Sequence, residues 1–70
     1  MSSKKISSIA QNIKHKRRDL GLSQDKLSKL AGVAYNTIVK IESGENLNPT
    51  VQTLRKIALA LNTGIDSLIT

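Results

Sequence analysis

Two charged residues and one short polar face are where this chain has the means to do chemistry. Arg17 falls between Ile13 and Leu20 on an otherwise apolar stripe at helical spacing. A guanidinium there requires a carboxylate, because an unpaired buried charge is very costly. Glu42, next to Ile41 at the inner edge of a second apolar stripe, is the natural partner, and Glu45 is the only other acid near that face. An Arg17–Glu42 pair is therefore expected, with a structural role. The polar face comprises Tyr35, Asn36, Val39, Lys40 and Ser43, opposite Ile38 and Ile41. It aims hydrogen-bonding groups away from a core. Catalysis lacks its usual parts. His15 is the only histidine and sits among lysines, and there is no cysteine. No nucleophile has a base at motif spacing and no metal-ligand cluster exists, so neither an enzyme nor a cofactor is expected.

The elements that position these residues read as helices. Ile6, Ile9, Ala10, Ile13, Arg17 and Leu20 form a stripe over about Ser3 to Leu20, with Gly21 at the C-terminal cap. Ser23 is a good N-cap for a second helix, whose inner face is Leu27, Leu30 and Ala31. Gly32 permits a sharp reversal. A third helix covers roughly Ala34 to Ser43, and Gly44 ends it. A polar loop through Pro49 leads to Thr50, the N-cap of a fourth helix with Val51, Leu54, Ile57, Ala58 and Leu61 inside. Asn62-Thr63-Gly64 breaks the chain before a last short helix, about Ile65 to Ile69. No strand pattern, internal repeat or low-complexity tract interrupts this order. The expected fold is all-α, a compact bundle of five short helices in one domain over residues 1–70.

Ser23 to Glu42 thus reads as a capped helix, a tight glycine turn and a second helix with a polar outer face. A helix-turn-helix unit has this grammar, here at about residues 23–43. Seventy residues allow one small domain with an economical core. The net charge of +6 favours a polyanion, nucleic acid or an acidic membrane surface, and equally a solubilising surface. No long apolar run is present, so no membrane span or signal peptide is expected, and a cytoplasmic location follows.

Together these marks resemble the phage-repressor and Cro-like helix-turn-helix family, also called the xenobiotic-response-element type. The resemblance runs from about Ile6 to Leu68. It rests on Arg17, Gly21-Leu22-Ser23-Gln24, Leu27, Ala31-Gly32-Val33, Ile38, Ile41-Glu42, Gly44, Pro49, Leu54, Ile57-Ala58 and Leu61. It implies a lambda-repressor-like five-helix fold that binds operator DNA as a two-fold dimer. It also implies the internal Arg17–Glu42 pair. Two positions depart from the family pattern. Ser28 stands where alanine is common. Ala34 stands where Ser or Thr usually starts the third helix, so a cap and a polar contact are missing.

By this resemblance the third helix enters the major groove N-terminus first, and Tyr35, Asn36 and Lys40 reach base edges. Asn36 suits adenine and Lys40 suits guanine O6 and N7. Tyr35 donates, stacks, or lies on neighbouring side chains. Gln24 and the helix that starts at Thr50 are placed to hold phosphate. Thr37 either reaches a phosphate or satisfies its own backbone. Ser43, Asn46 and Asn48 lie beside the DNA backbone, with turn chemistry the alternative for the asparagines. Lys14, Lys16, Arg18, Lys26, Lys29, Arg55 and Lys56 supply a solvated face or steering charge. Lys4 and Lys5 form a basic arm or a frayed end. Ile65 and Ile69 are candidates for a dimer contact or for the core.

The expected function is a sequence-specific, double-stranded-DNA-binding transcriptional regulator, a repressor acting as a homodimer on a palindromic operator. No small-molecule ligand or membrane partner is expected. The alternatives are an antitoxin-like interaction module and the DNA-binding fragment of a longer regulator.

Overall fold

Local chemistry sets most helix boundaries. The computed structural model describes the backbone of residues 3–69 and the side chains of residues 9–69. The Ile6 side chain and the Lys4–Lys5 arm lie outside the described side chains. Helix α1 spans Ser3–Asp19, α2 Gln24–Ala31, α3 Tyr35–Ser43, α4 Val51–Ala60 and α5 Asp66–Ile69. Among the described residues there is no strand.

Gly21 takes φ 69° after α1. Its N–H donates to the Arg18 carbonyl at 2.9 Å and the Leu22 N–H to the Arg17 carbonyl at 3.0 Å. This reversal satisfies carbonyls that the helix end would otherwise leave unpaired. Gly32 reverses the chain after α2 at φ 67°. Asn62 does so after α4 at φ 56°, in a left-handed region that asparagine tolerates better than most residues. The starts of α2 and α4 are capped. Ser23 Oγ accepts from the Lys26 N–H at 3.0 Å, and Thr50 Oγ1 accepts from the Thr53 N–H at 3.1 Å. At the start of α3, Ala34 makes no side-chain cap.

The core collects at least one nearly inaccessible side chain from each helix: Ile13, Leu27, Ile38 and Ile41, Ile57, and Leu68. Burying each such aliphatic chain stabilises the fold by about 1.5–3 kcal/mol. Helix α1 packs against α3 and α5, and α2 packs against α3 and α4. Asn12 Nδ2 donates to the Leu68 carbonyl at 2.9 Å, tying the end of α5 to α1. Ser28 is buried, and its Oγ donates to the Asp25 carbonyl at 2.7 Å. That bond satisfies a hydroxyl that burial would otherwise strand.

Three expected core residues are exposed instead. Leu20 follows the last residue of α1, where the glycine reversal turns it off the stripe, and is 47% exposed. Leu30 is 58% exposed, because α2 buries Leu27 and Ser28 and turns Leu30 to the flank. Val51 is 60% exposed, because it starts α4 a turn before the buried stripe begins at Leu54. The two residues with an open role at the C-terminal end also separate. Ile65 packs against the core cluster, whereas Ile69 is half-exposed.

Candidate nucleic-acid interface

The side chain that decides how α3 sits is Glu42, in its last turn. Arg17 Nε donates to Glu42 Oε2 at 2.7 Å and Arg17 Nη2 to Glu42 Oε1 at 2.9 Å. This two-pronged geometry is the strong form of the interaction. Arg17 Nη1 donates to the Leu22 carbonyl at 2.7 Å, in the turn between α1 and α2. Gln24 Nε2, in the first turn of α2, donates to Glu42 Oε1 at 3.1 Å. One carboxylate thus joins α3 to α1 and α2, and the guanidinium secures the turn between them. Both members of the pair are buried. The hydrogen bond to Glu42 raises the Arg17 pKa above its ordinary value; desolvation opposes this and the attraction of the carboxylate adds to it. Among the described residues no buried side-chain polar atom lacks a hydrogen bond.

The opposite side of α3 is open. Tyr35, Asn36, Lys40 and Ser43 are exposed, and Thr37 and Val39 are half-buried on its flanks. Among the described residues, the side chains of Tyr35, Asn36, Thr37 and Lys40 hold no hydrogen bond or ion pair within the chain. The three expected base-reading residues therefore share one helix, and their polar groups face solvent.

The six expected backbone-contact residues divide by which protons they have left. A phosphate oxygen accepts, so each residue must keep a donor. Ser43 Oγ donates to the Lys40 carbonyl at 3.1 Å, and Thr50 Oγ1 donates to Thr53 Oγ1 at 2.9 Å. Those two hydroxyl protons are committed inside the chain. Asn46 Oδ1 accepts from the Asn48 N–H at 3.1 Å, which shapes the turn and leaves the Nδ2 donors free. Asn48 and Thr37 keep their side-chain donors, and Gln24 keeps one N–H beyond the one given to Glu42. The Gln24–Glu42 bond had no signal in the sequence, since eighteen positions separate two helix ends that only the fold brings together.

The surrounding charge is mostly solvated. Arg18, Lys26, Lys29, Arg55 and Lys56 are exposed, and Lys14 and Lys16 are half-buried. Lys29 Nζ lies 3.2 Å from Asp25 Oδ2, an exposed pair one turn apart on α2. No group of metal-ligating side chains forms among the described residues, and no described helix is long and apolar enough to cross a membrane.

A model of the helix-turn-helix family matches residues 13–68. The HTH-type transcriptional regulator SinR of Bacillus subtilis is 34% identical over 61 residues, covering 87% of this chain and 55% of SinR. Control protein C.SmaI of Serratia marcescens is 36% identical over 62 residues, covering 89% of this chain and 73% of the relative. Among solved structures, the restriction-modification controller protein C.AhdI of Aeromonas hydrophila superposes with a TM-score of 0.84 at 27% identity. That match covers 90% of this chain and 94% of the other. The chain thus spans about half the length of SinR and most of the two controller proteins.

Proposed function

We propose, because this chain belongs to the helix-turn-helix family, that it is a sequence-specific DNA-binding transcriptional regulator, not an enzyme. It acts as a repressor, binding a palindromic operator as a homodimer in the bacterial cytoplasm, and residues 1–70 serve as one DNA-binding domain. The observation that carries this reading is the outer side of α3. Asn36 and Lys40 stand exposed with their hydrogen-bonding groups unspent, on a helix whose inner side is held by Glu42.

Helix α3 enters the major groove, where Asn36 bonds adenine N6 and N7 and Lys40 bonds guanine O6 and N7. Tyr35 adds a hydroxyl donor or a stacking face at the N-terminal end. Gln24, Thr37, Asn46 and Asn48 give their remaining donors to phosphates. The helix N-termini behind Ser23 and Thr50 add backbone N–H groups and favourable partial charge. Ser43 and Thr50 act through the backbone they shape, since their hydroxyl protons are committed. Of the two dimer candidates, Ile69 is exposed on α5 and open to a partner copy, whereas Ile65 packs against the core cluster. Two copies then read half-sites about 34 Å apart.

The test is selection of bound sites from a random duplex library at several salt concentrations. The expected result is an enriched palindrome whose affinity falls steeply with salt, with a logarithmic slope of about −0.9 per phosphate neutralised. No enriched site and no salt dependence would overturn the DNA reading. An enriched single half-site would overturn the dimer.

A further inference from the structure

We propose that Val39 is a specificity-determining residue that reads a thymine through its C5 methyl group; the proposal rests on the DNA-binding reading above. The outer surface of α3 consists of two rows. Asn36, Lys40 and Ser43 make a polar row. Tyr35 and Val39, four residues apart and therefore neighbours on the helix surface, make a row richer in carbon beside it.

Val39 takes no part in the core. It is half-buried, yet it is absent from both the core cluster and the partly buried apolar side chains packed against that cluster. Helix propensity does not favour it either, since a β-branched residue is a weaker helix former than alanine or leucine. What the branching supplies is stiffness. Valine holds one strongly preferred rotamer in a helix, so its two methyl groups keep a fixed position and lose little freedom when something covers them.

The major groove offers a matching group. Thymine alone among the four bases presents a methyl there, and an apolar side chain is its natural contact. Cytosine carries only a hydrogen at C5, so valine finds no methyl group to cover there. Val39 therefore separates thymine from cytosine next to the base pairs that Asn36 and Lys40 address.

The experiment uses the full 70-residue chain and the duplex recovered by selection. Each thymine is replaced in turn by deoxyuridine, which removes only the methyl, and affinity is measured for the wild type, Val39→Ala and Val39→Thr. At one thymine per half-site the wild type is expected to weaken about fourfold, the value of one buried methyl. At that position Val39→Ala should show no uracil penalty and Val39→Thr a reduced one. 5-Methylcytosine there should bind the wild type better than cytosine. Both variants should stay folded at the temperature of the binding assay, because Val39 lies outside the core cluster. Val39→Thr nearly preserves the side-chain shape should Val39→Ala prove unstable. A wild type insensitive to uracil at every position overturns the assignment, as does an equal penalty in the wild type and both variants. Failure to recover any duplex overturns the DNA reading itself, an outcome distinct from either of these.

Discussion

The two sides of α3 are built on opposite rules. On the inner side Ile38, Ile41 and Glu42 are nearly inaccessible, and both Glu42 oxygens are engaged. On the outer side Asn36 and Lys40 are exposed and engaged with nothing in the chain. The inner side fixes the position of the helix by packing and by a carboxylate held from two other helices. The outer side keeps its hydrogen-bonding capacity for something else. A recognition element benefits from this division, because groups held from behind need less ordering on binding.

The largest way to break the comparison is to empty its inner side. Glu42→Ala leaves the Arg17 guanidinium buried without its carboxylate and should cost about 3–5 kcal/mol. A domain of this size has only about 4–10 kcal/mol in total, so denaturant titration should find the unfolding midpoint strongly lowered. Arg17→Met combined with Glu42→Leu should recover most of the loss, because no charge is then stranded. An unchanged midpoint for Glu42→Ala would show that the carboxylate does not hold α3. The guanidinium itself should not impose a pH dependence near neutrality. Its pKa is raised in the folded state, so its contribution is fully present below the unfolded value and is lost only as strong alkali titrates it.

Changing the outer side should do the reverse. Asn36→Ala should weaken binding to the selected duplex by about 1–3 kcal/mol and relax preference at one base pair. Fluorescence anisotropy would measure the first, and repeated selection the second. The unfolding midpoint should stay at the wild-type value, since the Asn36 side chain has no partner in the chain. A lowered midpoint would mean that the outer side also carries the fold.

The smallest effects sharpen the comparison at the helix starts. Ser23→Ala removes the α2 cap and should cost about 1 kcal/mol. Ala34→Ser supplies the cap that α3 lacks and should gain up to about 1 kcal/mol in the same titration. No gain would indicate that the first turn of α3 is already satisfied by other means.

Much of this was legible residue by residue. Gly21, Ser23, Gly32 and Thr50 carry their turn and cap chemistry in their own side chains or in the lack of one, and the helices begin and end beside them. Arg17 on an apolar stripe announces a carboxylate partner, and spacing alone separates Asn36 and Lys40 from Ile38 and Ile41. The exposure of Leu20, Leu30 and Val51 was not legible. A stripe tells which way a helix faces, and the neighbours decide how much of that face they cover.

The sequence by itself determined the five helices, their order and the polarity of α3, because these follow from caps and periodicity within a few residues of each position. The tertiary structure alone decided that Gln24 joins the Arg17–Glu42 pair and that Val39 stands outside the core. Each of those depends on how close neighbouring groups come in the folded chain, which local propensity does not encode.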